Sequence, residues 1–82
     1  MNNIVIAFPK KEVANSIKKI LAQSGYTVTA VANTGASALS SMNGLNMGII
    51  ICGYRFSDMM YSEIYEYMTK EFPMLLIASA AG

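Results

Sequence analysis

The sequence predicts one α/β domain on a parallel sheet of about four strands, and three observations carry that prediction. Short apolar runs alternate with segments of helical periodicity along all 82 residues. The runs lack polar alternation, as strands buried on both faces require. Strand and helix repeat in turn until the last strand, which calls for right-handed crossovers between parallel strands.

Ile4-Val5-Ile6-Ala7-Phe8 is a short β-branched run closed by Pro9 and reads as the first strand. From Lys11 to Gln23, Val13, Ile17, Ile20 and Leu21 recur at helical spacing, with Lys18 and Lys19 on the wet side. Gly25 stands where a helix C-terminal glycine is expected, and Tyr26-Thr27-Val28-Thr29-Ala30-Val31 supplies the second strand. Asn33-Thr34-Gly35 offers turn and N-cap chemistry for a short helix of small residues over Ala36 to Met42, ended by Gly44. Met47-Gly48-Ile49-Ile50-Ile51-Cys52 is the most apolar run and is expected at the sheet centre. Ser57 or Asp58 can cap a third helix through about Thr69; Pro73 stops it, and Met74-Leu75-Leu76-Ile77-Ala78 gives a fourth strand.

Composition narrows the function. A hydrophobic share of 54 % against 13 % charged residues gives much to bury and little to solvate it, in a chain with one core. A net charge of +1 provides no long-range field for nucleic acid or an anionic membrane. The single cysteine, Cys52, has no intrachain disulfide partner, and a chain without histidine lacks the common zinc and iron ligand sets. No cofactor is expected: no G-x-G-x-x-G follows the first strand and no G-x-x-x-x-G-K-[ST] occurs. With no apolar run of about 18 residues and no signal-peptide pattern, the expected location is the cytoplasm, away from the membrane.

The expected strand order is 2-1-3-4, the flavodoxin-like winding. Such a fold normally has five strands, so residues 1–82 read as a domain truncated before its last helix, strand and helix. Strand four is then an uncovered apolar edge that favours a partner.

With the strands placed, the chain resembles the receiver domain of bacterial response regulators over nearly all its length. Ile4-Val5-Ile6-Ala7 stands in the place of the first receiver strand. Leu21-Ala22-Gln23-Ser24-Gly25-Tyr26-Thr27-Val28 is similar to the family's "L…GY.V" junction, Ala36-Ser37-Ala38-Leu39 to its "G.EAL" helix, and Phe72-Pro73-Met74-Leu75-Leu76-Ile77 to its "P.I.L" strand. The resemblance implies a phosphoryl-transfer site at the strand ends, with acidic residues after strand one holding Mg²⁺ and an aspartate ending strand three as nucleophile. Those positions hold Phe8 and Pro9, then Gly53, and the hydroxyl residue ending strand four aligns with Ala78, one residue before Ser79. A receiver-shaped domain working by contact, without catalysis, is therefore expected. Asp58, the only aspartate, is either a displaced phosphoacceptor or, more simply, a cap for the third helix.

Ile50-Ile51-Cys52-Gly53-Tyr54-Arg55-Phe56-Ser57-Asp58-Met59 and Met74-Leu75-Leu76-Ile77-Ala78-Ser79 further resemble the degenerate receiver halves of ANTAR regulators. Those proteins carry a C-terminal helical module that binds nascent RNA and prevents transcription termination. The resemblance implies an effector module of that kind in a longer parent chain, and no direct nucleic-acid contact by this segment.

Further candidates follow from position. Tyr54, Arg55, Asp58 and Ser79 lie near the strand ends where open α/β sheets bind ligands, so an anion or small-molecule sensor is the alternative function. The simpler reading of Tyr54-Arg55-Phe56 is a loop covering the sheet end. Tyr61, Tyr65 and Met68 fall at spacings of 4 and 3 on the third helix and are either helix-to-sheet packing or a contact to a second copy. Lys10, Lys11, Lys18 and Lys19 read as a solvated face, and Cys52 as an inert core residue. Self-association, as a homodimer or larger, is the expected partnership.

Overall fold

The structure, a computed structural model, describes residues 3–77. Seven elements follow in order: β1 (Ile4–Ala7), α1 (Lys11–Gln23), β2 (Val28–Ala32), α2 (Gly35–Asn43), β3 (Ile49–Cys52), α3 (Tyr61–Tyr67) and β4 (Met74–Leu76). The four strands pair in parallel in the order β2-β1-β3-β4, the winding expected of a flavodoxin-like open sheet.

Alternation along the strands divides the core into two layers. Ile4, Ile6 and Ile51 point to one side, where Ala14, Val13, Ile17 and Leu21 of α1 cover them. Val5, Ala7, Ile50 and Cys52 point to the other, against Ala38 and Met42 of α2 and Ile64 of α3. The central pair is in simple register, Ile4 opposite Ile49 through Ala7 opposite Cys52. Between β1 and β2 the register shifts after Ile4, which stands opposite Val28, while Val5 stands opposite Ala30. This irregularity puts Val28 on the α1 side and Ala30 on the α2 side.

Local chemistry sets the element ends. Gly25, at φ +89°, closes α1 in a Schellman turn: its N–H donates to the Ala22 carbonyl at 3.1 Å and that of Tyr26 to Leu21 at 3.0 Å. That turn consumes Tyr26 and delays β2 to Val28. The Thr34 hydroxyl accepts from the Ser37 N–H at 3.1 Å and starts α2 at Gly35. Asn3 ties the lower ends of three strands together, its amide donating to the Met47 carbonyl at 3.0 Å and its Oδ1 accepting from the Thr29 hydroxyl at 3.2 Å.

The largest departure from expectation is the third helix. It begins at Tyr61, not near Ser57, and ends at Tyr67. Residues 53–60 form a folded loop instead: Arg55 and Met60 make an antiparallel bridge, the Phe56 N–H donates to Met59 O at 2.8 Å, and the Tyr61 N–H donates to Tyr54 O at 2.9 Å. Phe56, buried in the α2 layer, anchors this loop. Strand four covers Met74–Leu76 and leaves out Ile77 of the expected run, whose last residue, Ala78, lies outside the described residues.

Candidate functional site

The carboxyl ends of β1 and β3 lie side by side because Ala7 and Cys52 are register partners, and the Gly53 N–H donates to Ala7 O at 2.9 Å. Phe8 and Gly53 therefore meet at the strand ends. The Phe8 ring is 4 % exposed and packs with Ile4, Ile6, Ala14 and Ile51 under α1. A β-carbon at position 53 would lie 3.2 and 3.3 Å from the Phe8 ring carbons Cδ1 and Cε1 and 3.5 Å from Pro9 Cδ. The ring thus borders the space a side chain at 53 would enter, and a β-carbon there fits only if the ring gives by a few tenths of an ångström. Neither Phe8, Pro9 nor Gly53 offers a side-chain oxygen to a cation, and among the described residues no group of three or more metal-ligating side chains converges.

Asp58 lies beyond this point and turns to a different helix from the one expected. Its carboxylate accepts from the Gly35 N–H at 2.8 Å and the Ala36 N–H at 2.9 Å, the first amides of α2. These two bonds hold its carboxyl below the ordinary value of 3.8. Asp58 caps α2 from across the molecule, and the role expected for it at α3 falls to Glu63, whose Oε1 accepts from the Met60 N–H at 3.2 Å. The seam between loop and helix is tight: a side chain at Gly35 would run into Met59, which lies directly over it.

Tyr54 and Arg55 follow Gly53 and are exposed. The Tyr54 ring meets Tyr61 edge-on, with ring centres 5.2 Å apart. No protein-family model, curated protein or solved structure matches the chain.

The remaining candidates separate. Tyr61 and Met68 pack partly against the α2 layer around the buried Ile64, whereas Tyr65, 54 % exposed, turns outward with Tyr67 at 56 %. The expected stripe of Tyr61, Tyr65 and Met68 is thus divided between packing and surface. Cys52 is buried and free, and burial pushes its thiol up to about 11, so it is a packing residue at neutral pH. Lys10, Lys11, Lys18 and Lys19 are all exposed. Ala78 and Ser79 lie outside the described residues. Among the described residues no helix is long and apolar enough to cross a membrane.

Two features escaped the sequence reading. One is the long-range cap of α2 by Asp58, whose amide partners lie 22 and 23 residues away. The other is a pair of open hollows at the opposite end of the sheet. Tyr65, Glu66, Met68, Thr69, Lys70 and Glu71 line the first, of about 290 Å³. Residues 46–49 and 70–73 line the second, of about 360 Å³. No local sequence signal marks either hollow.

Proposed function

We propose that this chain is a non-catalytic regulatory domain of receiver-like design, cytoplasmic, that works by contact: it self-associates and positions an effector module in a longer parent protein. The observation that carries the reading is the Phe8 ring seated against Gly53, where a phosphoryl-accepting domain needs a carboxylate and a cation site. The two-residue grip of Asp58 on α2 supports it further, because a carboxylate already committed to two backbone amides is poorly placed to attack a phosphoryl donor. The effector implied by the resemblance is an RNA-binding antitermination module.

The test is incubation with acetyl phosphate or phosphoramidate and Mg²⁺, read by intact mass, beside light scattering over a concentration series. No added phosphoryl group and a concentration-dependent mass above the monomer are expected. Stoichiometric labelling overturns the reading, and loss of that label in Asp58→Ala identifies Asp58 as the acceptor.

A second reading, an anion or small-molecule sensor, draws support from Arg55, an exposed residue that follows the carboxyl end of β3 directly after the exposed Tyr54. A thermal-shift series with inorganic phosphate and nucleotides tests it. A rise in unfolding temperature that disappears in Arg55→Ala favours sensing; no rise with any of them removes it.

A further inference from the structure

Charge is divided between the two faces of the sheet. On the α1 side, Lys10, Lys11, Lys18 and Lys19 stand against Glu12 alone. On the opposite side, Asp58, Glu63, Glu66 and Glu71 fall in or beside α3, with Arg55 and Lys70 among them. The nearly neutral chain is therefore divided, with four lysines against one glutamate on the α1 side and four carboxylates against two basic residues on the other.

The acidic side also has shape. Ile64 faces the core, so helical geometry turns Ser62, Glu63 and Glu66 outward, flanked by the exposed Tyr65 and Tyr67. At the end of α3 the chain turns so that Glu66 and Glu71 line the hollow of about 290 Å³ together with Tyr65. Lys70 also lines the hollow, its ammonium held aside by donating to the Leu45 carbonyl at 2.7 Å, and its charge offsets one of the two carboxylates. Two carboxylates beside an exposed tyrosine face make a receptor for lysine ammonium groups, by ion pairing and by cation–π contact. On α1, Lys11 and Lys18 lie seven residues apart, two turns along one flank, with Lys19 next to them and Ile20 62 % exposed nearby.

We infer that the α1 face of one copy docks on the α3 face of the next, Lys18 and Lys19 entering the hollow bounded by Tyr65, Glu66 and Glu71. The inference rests on the self-association proposed above and names its surfaces. The two surfaces differ and lie on opposite sides of the sheet, so the contact is head-to-tail: each copy that joins leaves one basic and one acidic face free. Association grows past a dimer unless a ring closes, and added salt weakens it.

Complementary charge reversal in the full chain tests this. Lys18→Glu with Lys19→Glu leaves both faces acidic; Glu66→Lys with Glu71→Lys leaves both basic. Glu63 is spared because it caps α3. Circular dichroism first establishes that each variant is folded, and light scattering then follows mass against concentration. Wild type is expected to gain mass with concentration, with an apparent Kd rising at least about tenfold when salt goes from about 20 to about 500 mM. Each variant alone should stay monomeric, and an equimolar mixture of the two should associate again. A wild type that associates while both variants associate equally well, or whose association ignores salt, overturns the α1–α3 contact and leaves contact through another surface, such as the β4 edge. A wild type that is monomeric throughout overturns the self-association itself, and this contact with it.

Discussion

Gly53 and Phe8 make physical sense only as a pair. Phe8 is buried among Ile4, Ile6, Ala14 and Ile51 and has little room to retreat, so a methyl group added at residue 53 presses on a ring held from behind. Gly53→Ala should destabilise the fold by about 1–3 kcal/mol in urea denaturation, the usual cost of overpacking. In a Phe8→Leu background the same substitution should cost measurably less; equal costs in both backgrounds would mean that the ring is not the obstacle. Asp58 is a cap with its own pH signature. Its carboxyl is held below 3.8 in the folded chain, so the stabilisation is complete above that value and is lost as pH falls through it toward the lowered folded value. Wild type should therefore lose stability faster than Asp58→Ala as pH drops from about 5 into this range, while the variant is the less stable of the two at neutral pH. Parallel pH profiles for the two chains would contradict the cap.

At the level of the elements, legibility followed the range of the interactions. Helix α1 spans the residues its periodicity predicts, because its start, amphipathic face and glycine stop are all local. Strand β2 was displaced by two residues because the Schellman turn takes up Tyr26, a residue with ordinary strand character. Helix α3 was misread at its start for a physical reason: Asp58 has the chemistry of an N-cap, but sequence does not say which helix receives it, and tertiary packing gives it to α2. The bridged loop before α3, with Phe56 turned inward, was invisible for the same reason. Seven residues of α3 would not form a stable helix alone, so the element depends on its buried anchor. Ile64→Ala should cost about 2–5 kcal/mol, whereas Tyr65→Ala, at the exposed flank, should change stability by no more than about 0.5 kcal/mol. Both are read from urea midpoints, and a large loss for Tyr65→Ala would place that ring in the packing.

For the whole molecule, strand order was legible because few windings satisfy parallel strands joined by right-handed crossovers, and the most apolar runs belong at the centre. At the strand ends the sequence showed only that Phe8, Pro9 and Gly53 carry no carboxylate; that the Phe8 ring lies against Gly53 is a matter of tertiary packing. Coverage of the sheet is uneven. α1 packs chiefly on β1 and β2, and Leu75 of β4, paired with Ile51, remains 51 % exposed on that side. Backbone amides of β1 and β3, flanked by strands on both sides, should exchange with solvent most slowly, and those of β4 fastest among the strands. Uniform protection across all four strands, measured by hydrogen exchange, would show that the β4 edge is covered in solution.

The Phe8–Gly53 contact also bears on how readily this molecule could change its trade. Building an acidic, cation-holding strand end means replacing Phe8, Pro9 and Gly53. An aspartate placed first at residue 53 presses its β-carbon on the ring, and an aspartate placed first at residue 8 takes an aromatic out of the packed layer beneath α1. Each single step loses stability before any chemistry appears. The packing thus acts as a ratchet, holding residues 8 and 53 to their present pairing against gradual substitution.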